Sequence, residues 1–167
     1  KSRGLGDVYK RQRLSRLLEN GPVILTWYRG GWCPYCNLAL GALQEQLPAF
    51  QKAGAQLVAL TPELPDKALA TARKHELGFE VLTDLNLKVA EDYGLVFKLT
   101  PKVRELYKGF VDLTAFNGKE AGNERLPLSA TYVIGADRKI QWAFLDADYR
   151  RRAEPSAIVE FLRKGQE

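Results

Sequence analysis

The chain's two cysteines, Cys33 and Cys36, stand two residues apart in the run Trp32-Cys33-Pro34-Tyr35-Cys36. Two thiols at that spacing can pass between dithiol and disulfide, so the first chemistry the sequence offers is redox. Other uses of the pair fit less well. A structural disulfide closing so short a loop removes little entropy from the unfolded chain. A zinc site takes four ligands, and beside the two cysteines the chain offers one distant histidine, His75. No metal is therefore expected within one chain; a metal or cluster would have to be held between the paired motifs of two chains. Two inert core cysteines are the remaining reading, since free Cys packs as a small apolar residue.

The surrounding elements favour redox chemistry. Pro22 to Tyr28 is rich in Val, Ile, Thr, Trp and Tyr and predicts a buried strand, while Pro34 to Lys52 carries apolar residues at helical spacing. The cysteines then stand where a strand hands over to a helix. Pro34 takes the first helical position, where its missing N–H would have no partner anyway. Unpaired backbone N–H groups and the positive end of the helix dipole favour a thiolate there, which lowers a cysteine's pKa and makes sulfur nucleophilic at neutral pH.

Further along, the pattern predicts a strand over Ala55 to Leu60, ended by Thr61-Pro62 and Pro65, and a helix over Asp66 to Leu77. A short strand over Phe79 to Leu82 follows, closed by Thr83-Asp84. The next helix, Asn86 to Tyr93, is capped by Asp84 and stopped by Gly94. Pro101 to Tyr107 predicts another helix and Asn117 to Asn123 a loop. Ala130 to Ile134 and Lys139 to Leu145 predict two strands joined as a hairpin by Gly135-Ala136-Asp137-Arg138, and Ala153 to Lys164 the last helix. Alternating strands and helices argue for an α/β protein with parallel strands and crossover helices.

At 167 residues and 46% hydrophobic content the chain can bury one full core, and no stretch is long and apolar enough to span a membrane. A single domain over residues 14–167 is expected. The formal charge of +5 is uneven: the first sixteen residues hold six of the 25 basic residues and one of the 20 acidic ones, and the remainder balances. A basic surface that tracks phosphates is thus not a property of the domain, which argues against nucleic acid as a partner. Arg150, Arg151 and Arg152 form the one later basic cluster and read as a solvated turn. Residues 1–13 show no hydrophobic periodicity, and the chain contains no methionine, so this segment is expected to be a disordered or non-native start rather than a targeting peptide.

From Trp27 to Asn37 the chain reads Trp-Tyr-Arg-Gly-Gly-Trp-Cys-Pro-Tyr-Cys-Asn, similar to the "FYRGxWCPxCN" signature of a CxxC-bearing peroxiredoxin-like subgroup. Thr83-Asp84-Leu85-Asn86, then Val89-Ala90 and Tyr93-Gly94, and Ala130-Thr131-Tyr132-Val133-Ile134 support the likeness. The chain therefore resembles the thioredoxin-fold peroxiredoxin-like proteins of the alkyl hydroperoxide reductase and thiol-specific antioxidant group, over nearly all of its length after residue 14. Cys-Pro-Tyr-Cys alone also resembles glutaredoxins; the Gly-Gly-Trp before it, the chain length and the later segments favour the peroxiredoxin side.

The resemblance implies a thioredoxin-like fold, a central mixed β-sheet flanked by helices, and a thiol-dependent antioxidant oxidoreductase without a bound cofactor. Two schemes stay open. Laid on the peroxiredoxin Thr-x-x-Cys motif, Cys33 takes the threonine position and Cys36 the peroxidatic one; Cys36 would become a sulfenic acid and Cys33 would condense with it. By thioredoxin logic Cys33 is the exposed nucleophile toward a disulfide, and Cys36 resolves the mixed disulfide. Either way the catalytic pair is Cys33 and Cys36, the substrate a peroxide or a protein disulfide, and the reductant an external thiol such as thioredoxin or glutathione. The arginine that supports the peroxiredoxin thiolate, just before the late strand, is replaced by Ser129, which is not the thioredoxin cis-proline either; Pro127 two residues earlier raises a cis bond as an expectation.

Arg125 and Arg29 are the candidate sources of positive charge, although a strand-end arginine such as Arg29 is more often solvated or salt-bridged. Trp32, beside an exposed cysteine, with Pro34 and Tyr35, would contact substrate. Trp27 and Tyr28 suit the core at least as well as a groove, and His75, between Lys74 and Glu76, reads as surface rather than as a general base. Gly30-Gly31 offers flexible backbone, not a phosphate loop. A cytoplasmic setting is expected by default, and a homodimer is entertained as the assembly. The competing class is a thioredoxin-fold binding module whose cysteines do not turn over.

Overall fold

In the computed structural model, which describes residues 14–121 and 124–165, a short helix α1 (Leu14–Leu17) and a 3-10 turn (Leu18–Asn20) lead into β1 (Val23–Trp27). The expected non-native segment 1–13 lies outside the described residues. Helix α2 (Pro34–Lys52) follows, then β2 (Gln56–Thr61), α3 (Pro65–Lys74) and β3 (Glu80–Thr83). A 3-10 turn (Leu85–Leu87), α4 (Lys88–Asp92), β4 (Val96–Lys98), α5 (Pro101–Lys108) and α6 (Leu113–Ala121) fill the middle of the chain. Strands β5 (Arg125–Pro127), β6 (Ser129–Ile134) and β7 (Ile140–Asp146) precede the last helix, α7 (Pro155–Lys164).

The five-stranded sheet runs β3-β2-β1-β6-β7. Its β1–β2 and β2–β3 pairs are parallel, connected by helical crossovers, whereas β1–β6 and β6–β7 are antiparallel. This is the mixed, helix-flanked sheet that the resemblance implied. The hairpin between β6 and β7 turns at Gly135–Arg138 as expected, with the Gly135 N–H donating to the Lys139 carbonyl at 3.0 Å.

Alternation along β1 feeds two cores. Val23, Leu25 and Trp27 pack with Leu87, Ala90, Leu95 and Tyr132 on one face. Ile24 turns the other way, onto Leu43, Leu47 and Phe50 of α2 and Ile158, Val159 and Leu162 of α7. Each such side chain contributes about 1.5–3 kcal/mol by leaving water. Helix α2, which carries the cysteines, is therefore anchored along its length to the sheet and to α7. Asp84 caps α4 as expected: its two carboxylate oxygens accept the Val89 and Ala90 N–H groups, each at 2.9 Å.

Three expectations need correction. The loop expected over Asn117 to Asn123 is, as far as Ala121, part of α6, which Asp112 starts by accepting the Thr114 and Ala115 N–H groups and which breaks at Gly118, where φ is 76°; residues 122 and 123 lie outside the described residues. Pro127 is not cis; among the described residues there is no cis peptide bond, and Pro127 sits in β5 opposite Val96. The β4–β5 ribbon itself lies in short segments without clear alternation and was not anticipated. Among the described residues no helix is long and apolar enough to cross a membrane.

Candidate active site

β1 ends at Trp27 and α2 begins at Pro34, so the intervening residues must turn the chain and deliver the first cysteine. Gly30 and Gly31 make the turn by close packing rather than by flexibility. Gly30 has φ of 154°, and a Cβ there would sit 2.3 Å from the Trp32 indole nitrogen; one on Gly31 would sit 2.0 Å from Thr71 Oγ1. Two side chains pin the turn: Glu63 accepts the Gly31 N–H at 2.9 Å, and Asn37 donates to the Gly31 carbonyl at 2.9 Å.

Cys33 is the N-cap of α2, with extended backbone (φ −92°, ψ 113°), and Pro34 is its first helical residue. Both cysteines are free thiols, Cys33 at 3% exposure and Cys36 at 0%. Cys33 is thus not the exposed sulfur that thioredoxin logic expected; Tyr28, Leu40 and Ala59 enclose the pair. The two sulfurs interact, and their proton is shared unequally. A hydrogen bond from the Cys36 thiol, above all, then the Cys36 backbone N–H and the Arg29 and Arg152 charges, bring the Cys33 pKa down from 9.0 to about 6, against the opposing effect of burial. Cys36 goes the other way: its bond to Cys33, its burial and the Cys33 charge raise it well above the ordinary value, and Arg152 only partly opposes this.

The charge at the sulfurs comes from Arg29 and Arg152, not from Arg125. Arg125 lies in the β4–β5 ribbon, where it pairs with Glu91 and donates to the Asn86 carbonyl at 3.2 Å, so its expected role is withdrawn. Arg29 is buried rather than solvated, at 6% exposure. Its Nη1 donates to the Tyr107 hydroxyl at 2.9 Å, and its guanidinium carbon stands 4.3 Å from the centre of the Tyr149 ring.

Arg152 corrects the reading of Arg150–Arg152 as a solvated turn. Arg150 and Arg151 do face outward, paired with Asp148 and Asp146. Arg152 turns inward, where Nη2 reaches Cys36 Sγ at 3.3 Å and Nη1 donates to Ser129 Oγ at 2.6 Å, to the Arg151 carbonyl at 2.9 Å and to the Tyr149 carbonyl. Ser129, which replaces the expected arginine at the head of β6, thus holds an arginine supplied by the segment after β7. An arginine triplet carries no signal of which member turns in; that was decided by the pairing of its neighbours with Asp146 and Asp148.

Glu63 is a second residue that sequence reasoning missed. It is fully buried, with Oε2 accepting from the Thr61 hydroxyl at 3.3 Å, and burial is the main influence raising its carboxyl pKa. Burial, and next the Glu63 charge, likewise hold the Tyr28 phenol far above its ordinary range. Trp27 and Tyr28 are core residues. Trp32 is half-buried, edge-on to Tyr107 at 5.7 Å, whereas Pro34 and Tyr35 are exposed and available to a substrate or partner. His75 lies half-buried just past α3. Among the described residues no group of three or more His, Cys, Asp or Glu is placed to hold a metal ion.

Comparison with known proteins bears on this arrangement. Residues 5–143 match the family model of the AhpC/TSA family. Among curated proteins, chloroplastic peroxiredoxin Q of Populus jackii is 30% identical over 74 residues, which is 44% of this chain and 35% of that protein. Chloroplastic peroxiredoxin Q of Sedum lineare is 30% identical over a stretch of the same length, 40% of that protein. These matches therefore span well under half of either relative. Among solved structures, the peroxidoxin BcpB of Mycobacterium tuberculosis superposes with a TM-score of 0.72 at 21% identity, covering 92% of this chain and 85% of that one. A PrxQ mutant of Xylella fastidiosa superposes with a TM-score of 0.72 at 13% identity, over 93% of this chain and 84% of that one. At these identities the likeness is one of fold, the thioredoxin fold.

Proposed function

The chain belongs to the AhpC/TSA family, and from that premise we propose that it is a thiol-dependent peroxidase that works through a Cys33–Cys36 dithiol and disulfide cycle. The observation that carries the reading is two buried free thiols at the start of α2 with the Arg152 guanidinium 3.3 Å from Cys36 Sγ; the hydrogen bond between the sulfurs and the nearby arginine charges lower the Cys33 pKa, and its bond to Cys33 and its burial raise that of Cys36, which makes Cys33 the more readily ionised sulfur. In the first step the Cys33 thiolate attacks one peroxide oxygen and the O–O bond breaks. The leaving alkoxide or hydroxide takes a proton and departs as alcohol or water, leaving Cys33 as a sulfenic acid. Cys36, three residues away on the same helical turn, attacks that sulfur; the Cys33–Cys36 bond forms and water leaves. Two electrons have passed from the thiols to the peroxide, and an external dithiol or two monothiols, of the thioredoxin or glutathione kind, must return them.

This assigns the roles opposite to the Thr-x-x-Cys alignment, on electrostatic grounds. Arg29 supplies charge to Cys33, and Arg152 steadies Cys36 as it loses its proton in the resolving step. Disulfide reduction through the same Cys33 is the second reading, favoured by its lowered pKa and by exposed Pro34 and Tyr35 beside it. A reducing compartment, the cytoplasm in the simplest case, suits a cycle that must be re-reduced.

The test is stoichiometric reaction of the reduced protein and of its Cys33→Ser and Cys36→Ser variants with hydrogen peroxide, followed by stopped flow and intact mass. The proposal expects disulfide in the parent, sulfenic acid on Cys33 in Cys36→Ser, and no fast reaction in Cys33→Ser. Fast sulfenic acid on Cys36 in Cys33→Ser would reverse the roles. Reaction at the rate of a free thiol in every form, with ready exchange against a protein disulfide, would leave the second reading.

A further inference from the structure

The segment between β7 and α7 does more than carry Arg152. Asp146 Oδ1 accepts the Asp148 N–H at 2.8 Å, and Asp148 in turn accepts the Arg150 N–H at 3.0 Å. The Arg150 guanidinium closes onto the Asp148 carboxylate, and Arg151 Nη1 reaches Asp146 at 3.1 Å. This clipped turn presents Tyr149. Its ring lies over Arg29 at 4.3 Å and meets Tyr35, the third residue of Cys-Pro-Tyr-Cys, edge-on at 5.5 Å and 78°. Its carbonyl accepts from Arg152, whose other nitrogen is on Cys36. One residue thus touches the cation that serves Cys33, the cation that serves Cys36, and the first turn of α2 between the sulfurs.

We propose that Tyr149 is a positioning residue of the thiol pair: its ring covers Arg29 and holds that guanidinium toward Cys33, while its main chain sets Arg152 on Cys36. The inference rests on the redox reading of the pair given above. Among the described residues the Arg29 guanidinium is held by aromatic rings and the Tyr107 hydroxyl rather than by a carboxylate, which leaves its charge unneutralised beside the thiol pair. Tyr149, itself 39% exposed, lies over Arg29, which is 6% exposed. Removing the ring admits water, which screens the charge and leaves the guanidinium free to turn. The main-chain contact to Arg152 survives substitution, so the ring's effect should fall on Cys33.

The experiment is the pH–rate profile for iodoacetamide alkylation of reduced protein, with the labelled cysteine identified by mass mapping, for the parent, Tyr149→Phe and Tyr149→Leu. Phenylalanine keeps the π face; leucine keeps apolar bulk without it, and at a partly exposed site neither leaves a closed cavity. The expected result is a Phe profile that overlays the parent and a Leu midpoint at Cys33 raised by about half a unit to one unit, equivalent to about a three- to tenfold loss of thiolate below the midpoint. A Leu profile that overlays the parent, or a Phe profile that moves as far as Leu, overturns the proposal. Alkylation reads the thiolate whatever the substrate, so a parent that fails to consume peroxide would remove the peroxidase reading while this profile still decides the role of Tyr149.

Discussion

The sharing of the proton between the two sulfurs should be measurable as stability. In the folded, reduced protein the Cys33 pKa is about 6, against 9.0 for an ordinary thiol. A depressed pKa stabilises the fold above the unfolded-state value, and that stability is lost as pH falls through the folded value. Between pH 6 and 9 the unfolded chain holds a proton at Cys33 that the native state has released, so stability rises with pH across that window. For a depression of this size the linkage relation gives a rise on the order of 1–2 kcal/mol from Cys33 between about pH 6 and 7.5. The assay is urea unfolding of the parent and of Cys33→Ser at both pH values under a non-thiol reductant. Ionisable groups common to both proteins and remote from Cys33 largely cancel in the difference. At a denaturant slope of about 2 kcal/mol/M, the parent's midpoint should gain about 0.5–1 M over the variant's between pH 6 and 7.5. A parent-minus-variant difference that does not change with pH would refute the assignment of the thiolate to Cys33. The raised Cys36 has the opposite sign: the unfolded chain loses that proton near pH 9 while the native state keeps it, so the gain should level off and reverse above that pH.

Arg152→Met should slow formation of the Cys33–Cys36 disulfide after the peroxide step by about tenfold or more, since it removes a charge-assisted contact worth about 1.5–3 kcal/mol from Cys36, whereas Arg125→Met should leave that rate unchanged; equal effects from the two would undo the distinction between these arginines. Gly31→Ala should cost about 1–3 kcal/mol in urea unfolding because its Cβ would meet Thr71 Oγ1 at 2.0 Å, and a Thr71→Ala background should recover much of that cost. An undiminished cost in that background would mean that the strain lies in the backbone of the turn instead.

Most of the architecture was legible because it depends on local patterns. The helix predicted over Pro34 to Lys52 has those bounds, since a proline at the first turn and apolar residues at helical spacing are independent of what the helix packs against. The Asp84 cap and the Gly135–Arg138 hairpin turn were equally local. Where the reading failed, a local signal was overridden by a distant partner. Asn117 and Gly118 looked like loop residues, but α6 is started by Asp112 and docks through its Phe116 carbonyl on the Leu64 N–H at 2.7 Å. Arg29 at a strand end and Arg152 in a basic triplet both looked solvated, since nothing near them in sequence shows that Tyr107 and Tyr149 enclose the one and Ser129 receives the other.

That two thiols meet at the junction of a strand and a helix in an α/β domain can be read from contiguous residues alone, because spacing, proline placement and periodicity are local properties. Which arginines face the pair, and which sulfur is the more readily ionised, depend on contacts made across the fold. Arg29 comes from the end of β1, Glu63 from beyond β2, Ser129 from the head of β6 and Arg152 from the turn after β7. The fields and hydrogen bonds that separate the two cysteines act through space over a few ångströms, among residues that the sheet's strand order brings together from across more than a hundred positions of the chain.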